Sequence, residues 1–315
     1  MGKIFDPSLV KGRDWLHEFA QGPSVLVNKD FIRVYFSCRP HPDSSGQYTS
    51  FSAFVDLSRT PPFKVLRVSE SPILKLGNLG EFDEFGTYPT SVLEYKGIVW
   101  AYYTGWTRCD SVPFNTAIGL AFSYDGGIRF EKSGTGPILP YSPDEPFVLS
   151  GPKIRRFNQR WYLFYIAGSR WVLNDAGSPE PVYKIRMAVS DDGFHWHKMN
   201  RNLISNVLEE DEAQASPDVF YANGRYHMFF SYRYSLDFRG KEKGYRIGYA
   251  SSLDLLSWVR DDSKAGIDVS PDGWDSEMIS YPHVFEVDGK TYMFYLGNHV
   301  GRFGFGAAEL VGEMN

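Results

Sequence analysis

The sequence predicts an all-β fold: a five-bladed β-propeller with four antiparallel strands per blade, its ring closed by the N-terminal segment. Three observations predict it. A proline-led phrase recurs at Pro23, Pro89, Pro152, Pro217 and Pro282, in steps of 66, 63, 65 and 65 residues. Each copy then runs through the same order of short strands and tight turns, with almost no helical periodicity. The last copy is one strand short at the C-terminus, while the N-terminus has an apolar stretch to spare. Four strands per repeat at this period is the pattern of a propeller.

The first strand of each unit is the proline phrase itself: "QGPSVLV", "TYPTSVL", "SGPKIRR", "ASPDVFY" and "SYPHVFE". An aromatic second strand follows, in "FIRVYFS", "GIVWAYYTG", "QRWYLFYIAG", "GRYHMFFSYR" and "GKTYMFYLGN". The turns between them hold Asn, Asp, Lys and Gly, as tight hairpins require. The third strand is one element in "AIGLAFSYDGGIRF", "KIRMAVSDDGFHW" and "RIGYASSLDLLSW", with a looser copy in "FSAFVDLSRTPPF" and a fifth in "RFGFGAAEL". A fourth short strand is expected at Ile73, Ile138, Ile204 and Ile267. The missing fourth strand of the fifth unit is expected from "KIFDPSLV", which removes the exposed edges of the ring. Residues 1–315 read as a single propeller domain.

Composition narrows the function classes. A hydrophobic fraction of 43% is ample for a core, and a net charge of -5 argues against general binding to nucleic acid or a membrane surface. Cys38 and Cys109 make no disulfide framework and suit a reducing compartment. "MGKIFDPSLVKG" has no apolar stretch of signal-peptide length and no run of membrane-spanning length occurs, so a cytoplasmic protein without membrane insertion is expected. No cofactor and no metal site are expected.

The ring places the chemistry. First strands line the central channel of a propeller and second strands run back antiparallel to them. Residues just before the first and just after the second therefore meet at one mouth. Five places before the prolines stand Glu18, Glu84, Phe147, Glu212 and Glu277, with Asp83 and Asp211 beside two of them and Glu145 near the odd one. Sixteen places after the prolines stand Arg39, Gly105, Gly168, Arg233 and Asn298, with Trp106, Arg170 and His299 within two residues. Carboxylates held close together repel, which raises the pKa of at least one. An acid beside a base or nucleophile is what glycoside cleavage uses. On this reading Glu84, Glu212, Glu277 and Asp83 are the candidate catalytic residues. Opposed blades would set Glu84 and Glu212 wide apart, as an inverting mechanism needs. Glu18, Arg39, Trp106, Arg170, Arg233, Asn298 and His299 are the candidate substrate-binding residues, the aromatics for sugar faces and the arginines for a phosphate or carboxylate. The plainer alternative is that the glutamates cap entry loops or pair with Arg39, Arg233 and Arg302.

The blade grammar, above all "YRIGYASSLDLLSW" followed by "GWDSEMISYPHVFEVDGKTYMFYLGN", resembles the five-bladed propeller glycosidases, the superfamily of arabinanases, invertases, levansucrases and mannoside phosphorylases. It is most similar to glycosidase-like proteins of bacterial surface-polysaccharide loci, and the resemblance covers all five blades. It implies an enzyme that cleaves or transfers a glycosyl unit, with phosphorolysis or plain glycan binding as alternatives. Arabinanase-like enzymes carry Asp directly before the first-blade proline and Glu in a Glu-Gly-Pro phrase of the third blade. This chain has Gly22 and Ser150 there, so those catalytic residues are not carried over.

Weaker signals point elsewhere. "FHWHK" sets His195 and His197 on one side of a strand, without a third metal ligand nearby. "RYSLDFRGKEKGYR", residues 233–246, is a polar insertion in the fourth unit that reads as a loop, lid or phosphate clamp at the mouth.

Overall fold

The computed structural model describes residues 1–208 and 211–312. After β1 (Gly2–Phe5), the first blade is built from β2 (Glu18–Val27), β3 (Ile32–Arg39), β4 (Phe51–Leu57) and β5 (Val65–Val68). The second has β6 (Gly86–Tyr95), β7 (Ile98–Thr107), β8 (Asn115–Ser123) and β9 (Glu131–Lys132). The third has β10 (Ser150–Phe157), β11 (Arg160–Leu173), β12 (Pro179–Ser190) and β13 (His197–Lys198). The fourth has β14 (Ala213–Ala222), β15 (Arg225–Arg233), β16 (Arg246–Ser252) and β17 (Trp258–Arg260). The fifth has β18 (Ser280–Val287), β19 (Lys290–Leu296) and β20 (Phe305–Glu309), and its outer strand is β1. The N-terminal segment therefore closes the ring, and every sheet has four antiparallel strands.

The repeated turns explain the repeated strands. Between the first and second strands, paired left-handed residues form the hairpins: Lys96 and Gly97, Asn158 and Gln159, Asn223 and Gly224, Asp288 and Gly289. Two such residues in succession give the turn whose twist matches the strands it joins. After the third strand, an aspartate carboxylate ties the next turn. Asp125, Asp192 and Asp254 each accept two backbone N–H groups through Oδ1, at 2.7–3.1 Å.

Aromatic side chains fill the wedges between blades. Trp100 and Trp161 lie 5.0 Å apart in one such wedge. Tyr35 donates to the Gly127 carbonyl of the next blade at 2.8 Å, and Tyr102 to that of Gly193 at 2.7 Å. The aromatic richness of the chain thus follows from its architecture.

The fourth strands fall earlier than the sequence reading placed them. They are only two to four residues long and form the outer rim, whereas Ile73, Ile138, Ile204 and Ile267 belong to the segments that cross between blades. Ile73 and Ile204 are buried there, and the Ile138 N–H bonds the Ile118 carbonyl at 2.8 Å. Among the described residues no helix is long and apolar enough to cross a membrane.

Candidate functional site

Each first strand breaks its pairing register at the proline, leaving a bulge beside the axis. Proline brings no N–H to the ladder, so a bulge is where a strand accepts it. The residue before the proline is then thrown toward the mouth. In four blades it has left-handed backbone: Gly22 (φ 63), Gly151 (φ 59), Ser216 (φ 48) and Tyr281 (φ 54). In Ser216 and Tyr281 that conformation costs a side chain about 1–3 kcal/mol, a strain that clusters at functional sites. Tyr88, Gly151, Ser216 and Tyr281 all line one axial cavity of about 410 Å³, to which every blade contributes.

The cavity is aromatic and cationic. Trp106, Phe114 and Trp171 form a continuous edge-to-face row, with centroids 5.9 and 5.6 Å apart; the first two line the cavity. Arg39, at the end of β3, lies under the rings of Phe19 (4.3 Å), Tyr48 (5.2 Å), Trp106 (5.4 Å) and Tyr88 (5.8 Å). One of its terminal nitrogens donates to Gln21 at 3.2 Å, while its buried Nε has no partner among the described residues. Among the described residues no carboxylate forms an ion pair with it. Burial pulls its pKa below the usual arginine value, the sign of a charge poorly compensated.

Other charges on the wall are spoken for. Glu180 accepts from Arg239 through both oxygens, linking β12 to the insertion after β15. Arg302 holds Oε2 of Glu18 at 2.5 Å, and the Tyr48 hydroxyl interacts with the same carboxylate. Two pairs of phenols complete the wall: Tyr88 and Tyr281 with hydroxyls 3.2 Å apart, and Tyr183 and Tyr245 at 2.6 Å.

The candidate substrate residues separate into three groups. Arg39, Trp106 and His299 line the cavity. Glu18 and Arg233 stand one layer behind, each bonded to a lining residue. Arg170 and Asn298 lie elsewhere: Arg170 pairs with Asp211, and Asn298 accepts the N–H of Glu277 at 2.8 Å while donating to the Gly273 carbonyl at 3.1 Å.

None of the four candidate catalytic carboxylates is among the lining residues. Asp83 is fully buried, 2.6 Å from Lys132 Nζ and bonded by the Tyr103 hydroxyl at 2.9 Å. Glu212 is equally buried. Arg260 and Gln214 donate to its Oε1, and the N–H groups of Val207 and Leu208 to its Oε2. Glu145 repeats the arrangement with Lys198 at 2.8 Å and Tyr165 at 2.9 Å. Lys132, Lys198 and Arg260 all sit on the outer strand of their own blade, so the recurring acid clamps the entry loop to the rim. Glu84 is half-buried and caps the Gly80 N–H at 2.9 Å, and half-buried Glu277 lies outside the cavity. Glu84 and Glu212 therefore do not form an acid–base pair facing each other across the cavity.

Tyr88, Ser216 and Tyr281 were readable as the residues before the prolines, but the sequence reading passed over them. It also missed Glu180, Tyr183, Arg239 and Tyr245. Of the weaker signals, the insertion does reach the cavity, through Phe238, Arg239 and Tyr245. His195 is exposed and pairs with Asp192 at 2.7 Å.

No protein-family model matches the chain. Two uncharacterized proteins of Mycobacterium tuberculosis, MT1551 and Rv1502, are each 36% identical over 311 residues, covering 98% of both chains. A β-1,2-mannobiose phosphorylase of Thermoanaerobacter sp. (strain X514) is 22% identical over 178 residues, covering 53% of this chain and 54% of that protein. Among solved structures, a glycoside hydrolase superposes with a TM-score of 0.74 at 16% identity, covering 99% of this chain and 92% of the other. A structure from the GH130 family of mannoside phosphorylases, which contains glycoside hydrolases that target β-1,2 mannosidic linkages in Candida mannan, gives 0.70 at 14% identity, covering 98% and 91%. The shared feature is the five-bladed propeller of glycoside hydrolases.

Proposed function

Because the chain belongs to the family of the mycobacterial proteins MT1551 and Rv1502 and has the propeller fold of glycoside hydrolases, we propose that it is an enzyme that cleaves or transfers a glycosyl unit carrying a phosphate or carboxylate. One observation carries the reading: Arg39 sits in an aromatic wall of the axial cavity without a carboxylate partner among the described residues. A buried charge left without a partner is costly, and a ligand oxyanion supplies the missing counter-charge through charge-assisted hydrogen bonds. Trp106 and Tyr88 beside it offer faces for a sugar ring. Two free thiols, Cys38 and Cys109, favour a reducing compartment, and we place the reaction in the cytoplasm.

Phosphorolysis is the second reading. Arg39, Arg239 and Arg302 outnumber the single lining carboxylate, Glu180, and such a wall accommodates inorganic phosphate better than a pair of ionised acids. Similarity of half the chain to a mannobiose phosphorylase supports it.

The test is turnover. Glycosides of hexose phosphates, hexuronic acids and neutral hexoses are incubated with the protein, with and without inorganic phosphate, and products are separated by chromatography. Turnover of anionic glycosides, or phosphate-dependent turnover, is expected. Turnover confined to neutral glycosides in the absence of phosphate overturns the anionic reading, and no turnover at all leaves a glycan-binding propeller.

A further inference from the structure

Arg233 is the second guanidinium at this site that lacks a carboxylate among the described residues, and it is 1% exposed. Its Nε donates to the Tyr245 hydroxyl at 3.0 Å, and one terminal nitrogen to the Tyr183 hydroxyl at 3.2 Å. The same terminal nitrogen donates to the Pro181 carbonyl, and the other to the carbonyls of Tyr234 and Ser235, at 2.8–3.1 Å. A face of Phe238 covers it at 3.5 Å.

A proton count follows from these bonds. Arginine only donates, so both phenols must accept from Arg233. Their oxygens are 2.6 Å apart, so one hydroxyl donates to the other. Two phenols hold two protons; one lies between them. The second has no acceptor among the described residues, and both tyrosines line the cavity. Tyr88 and Tyr281 differ, since no guanidinium donates to their hydroxyls. Neither acid near the wall offers such a proton: both oxygens of Glu180 are bonded to Arg239, and Glu18 lies behind Arg302.

We propose that the Tyr183–Tyr245 pair, backed by Arg233, is the proton donor to the departing oxygen of the glycoside. This assignment rests on the glycosyl-cleaving reading above. In the step, the bond from the anomeric carbon to the leaving oxygen breaks, the electron pair stays on that oxygen, and the outward phenolic proton moves to it. Water or inorganic phosphate forms the new bond to the anomeric carbon, and its surplus proton returns to the phenolate, so nothing is oxidised or reduced. Between the two transfers the pair carries one negative charge against the positive charge of Arg233, which both phenols contact. Burial pushes the Tyr245 phenol well above its ordinary pKa although Arg233 pulls it down, so the proton is in place at neutral pH.

Either phenol alone retains a proton to give, so the decisive variant is Tyr183→Phe/Tyr245→Phe, with each single variant beside it. Arg233 keeps its three carbonyl acceptors in the double variant, and a melting curve checks that it is folded. Two probes are used, the 2,4-dinitrophenyl and the methyl glycosides of the same hexose 6-phosphates and hexuronic acids. Dinitrophenolate leaves without a proton, while methoxide does not. The double variant should lose about a hundredfold or more in kcat on methyl glycosides and less than about tenfold on dinitrophenyl glycosides. A folded double variant that loses equally on both overturns the proton-donor role, because a merely structural phenol pair affects both alike. A wild type inactive on all of them fails the glycosyl-cleaving reading instead, and the assignment falls with it.

Discussion

Phe5 pairs in antiparallel register with Phe305, with their rings 5.7 Å apart, and this contact closes the ring. Phe5 is 4% exposed and also packs 5.1 Å from Phe36 of the first blade. The seam leaves no room for a side chain at Gly304, whose φ is +103 and whose Cβ would run into the Phe5 carbonyl. Truncating so buried a ring typically costs about 3–5 kcal/mol. Phe5→Ala should therefore lower the unfolding free energy by about that amount, and deletion of residues 1–10 by at least as much. Denaturant unfolding measures both, and an unchanged midpoint in the deletion would contradict closure by β1.

The side chains of Glu212 and Arg260 are both buried, and the carboxylate accepts four hydrogen bonds. Breaking one side of such a pair costs about 3–5 kcal/mol. Glu212→Gln is thus expected to be markedly less stable, while its folded fraction binds ligand as the wild type does. Glu84→Gln, which loses only part of a loop cap, should change stability by less than about 1 kcal/mol. If either variant kept its stability but lost turnover by a hundredfold, a catalytic role for that glutamate would replace the clamp.

His283 lies near the axis, where its Nε2 accepts the Val25 N–H at 3.0 Å. The ring proton therefore sits on Nδ1, 3.3 Å from Asp218 Oδ1 and beside Lys153, with Arg155 also bonded to Asp218. Burial lowers the His283 pKa from 6.5 to about 4, against the pull of Asp218. Between those values the unfolded chain binds a proton that the folded chain does not. Its stabilising contribution is present above about pH 6.5 and is lost as pH falls toward 4. Chemical denaturation across pH 7 to 4 should show this acid slope, and His283→Asn should flatten it. An equally steep slope in the variant would assign it to other groups.

Much of the fold was legible because each blade needs the same physical parts in the same order. The bulge calls for a proline, the hairpin for two left-handed residues, and the wedge between blades for aromatics. Arg39, Trp106 and His299 were legible for the same reason: each stands at or just past the end of a second strand, at a near-constant distance from its blade's proline. The carboxylates misled because they stand in the entry loops ahead of β6, β14 and β18, where no strand alternation fixes the direction of a side chain. A register counted back through Pro89 or Pro217 therefore does not say which face a residue takes. Tyr183 and Glu180 come from the long β11–β12 hairpin, and Arg239 and Tyr245 from the insertion after β15. No repeat position fixes where those reach.

The central claim is that the axial cavity takes an anionic sugar through Arg39, and titration calorimetry tests it most directly. A hexose 6-phosphate and the matching neutral hexose are titrated into the wild type and into Arg39→Ala. The account predicts that the wild type prefers the phosphorylated sugar, and that Arg39→Ala weakens it by tenfold or more, about 1.4 kcal/mol, while leaving the neutral sugar within about twofold. Equal losses for both sugars, or a wild type that binds the neutral one better, would contradict it.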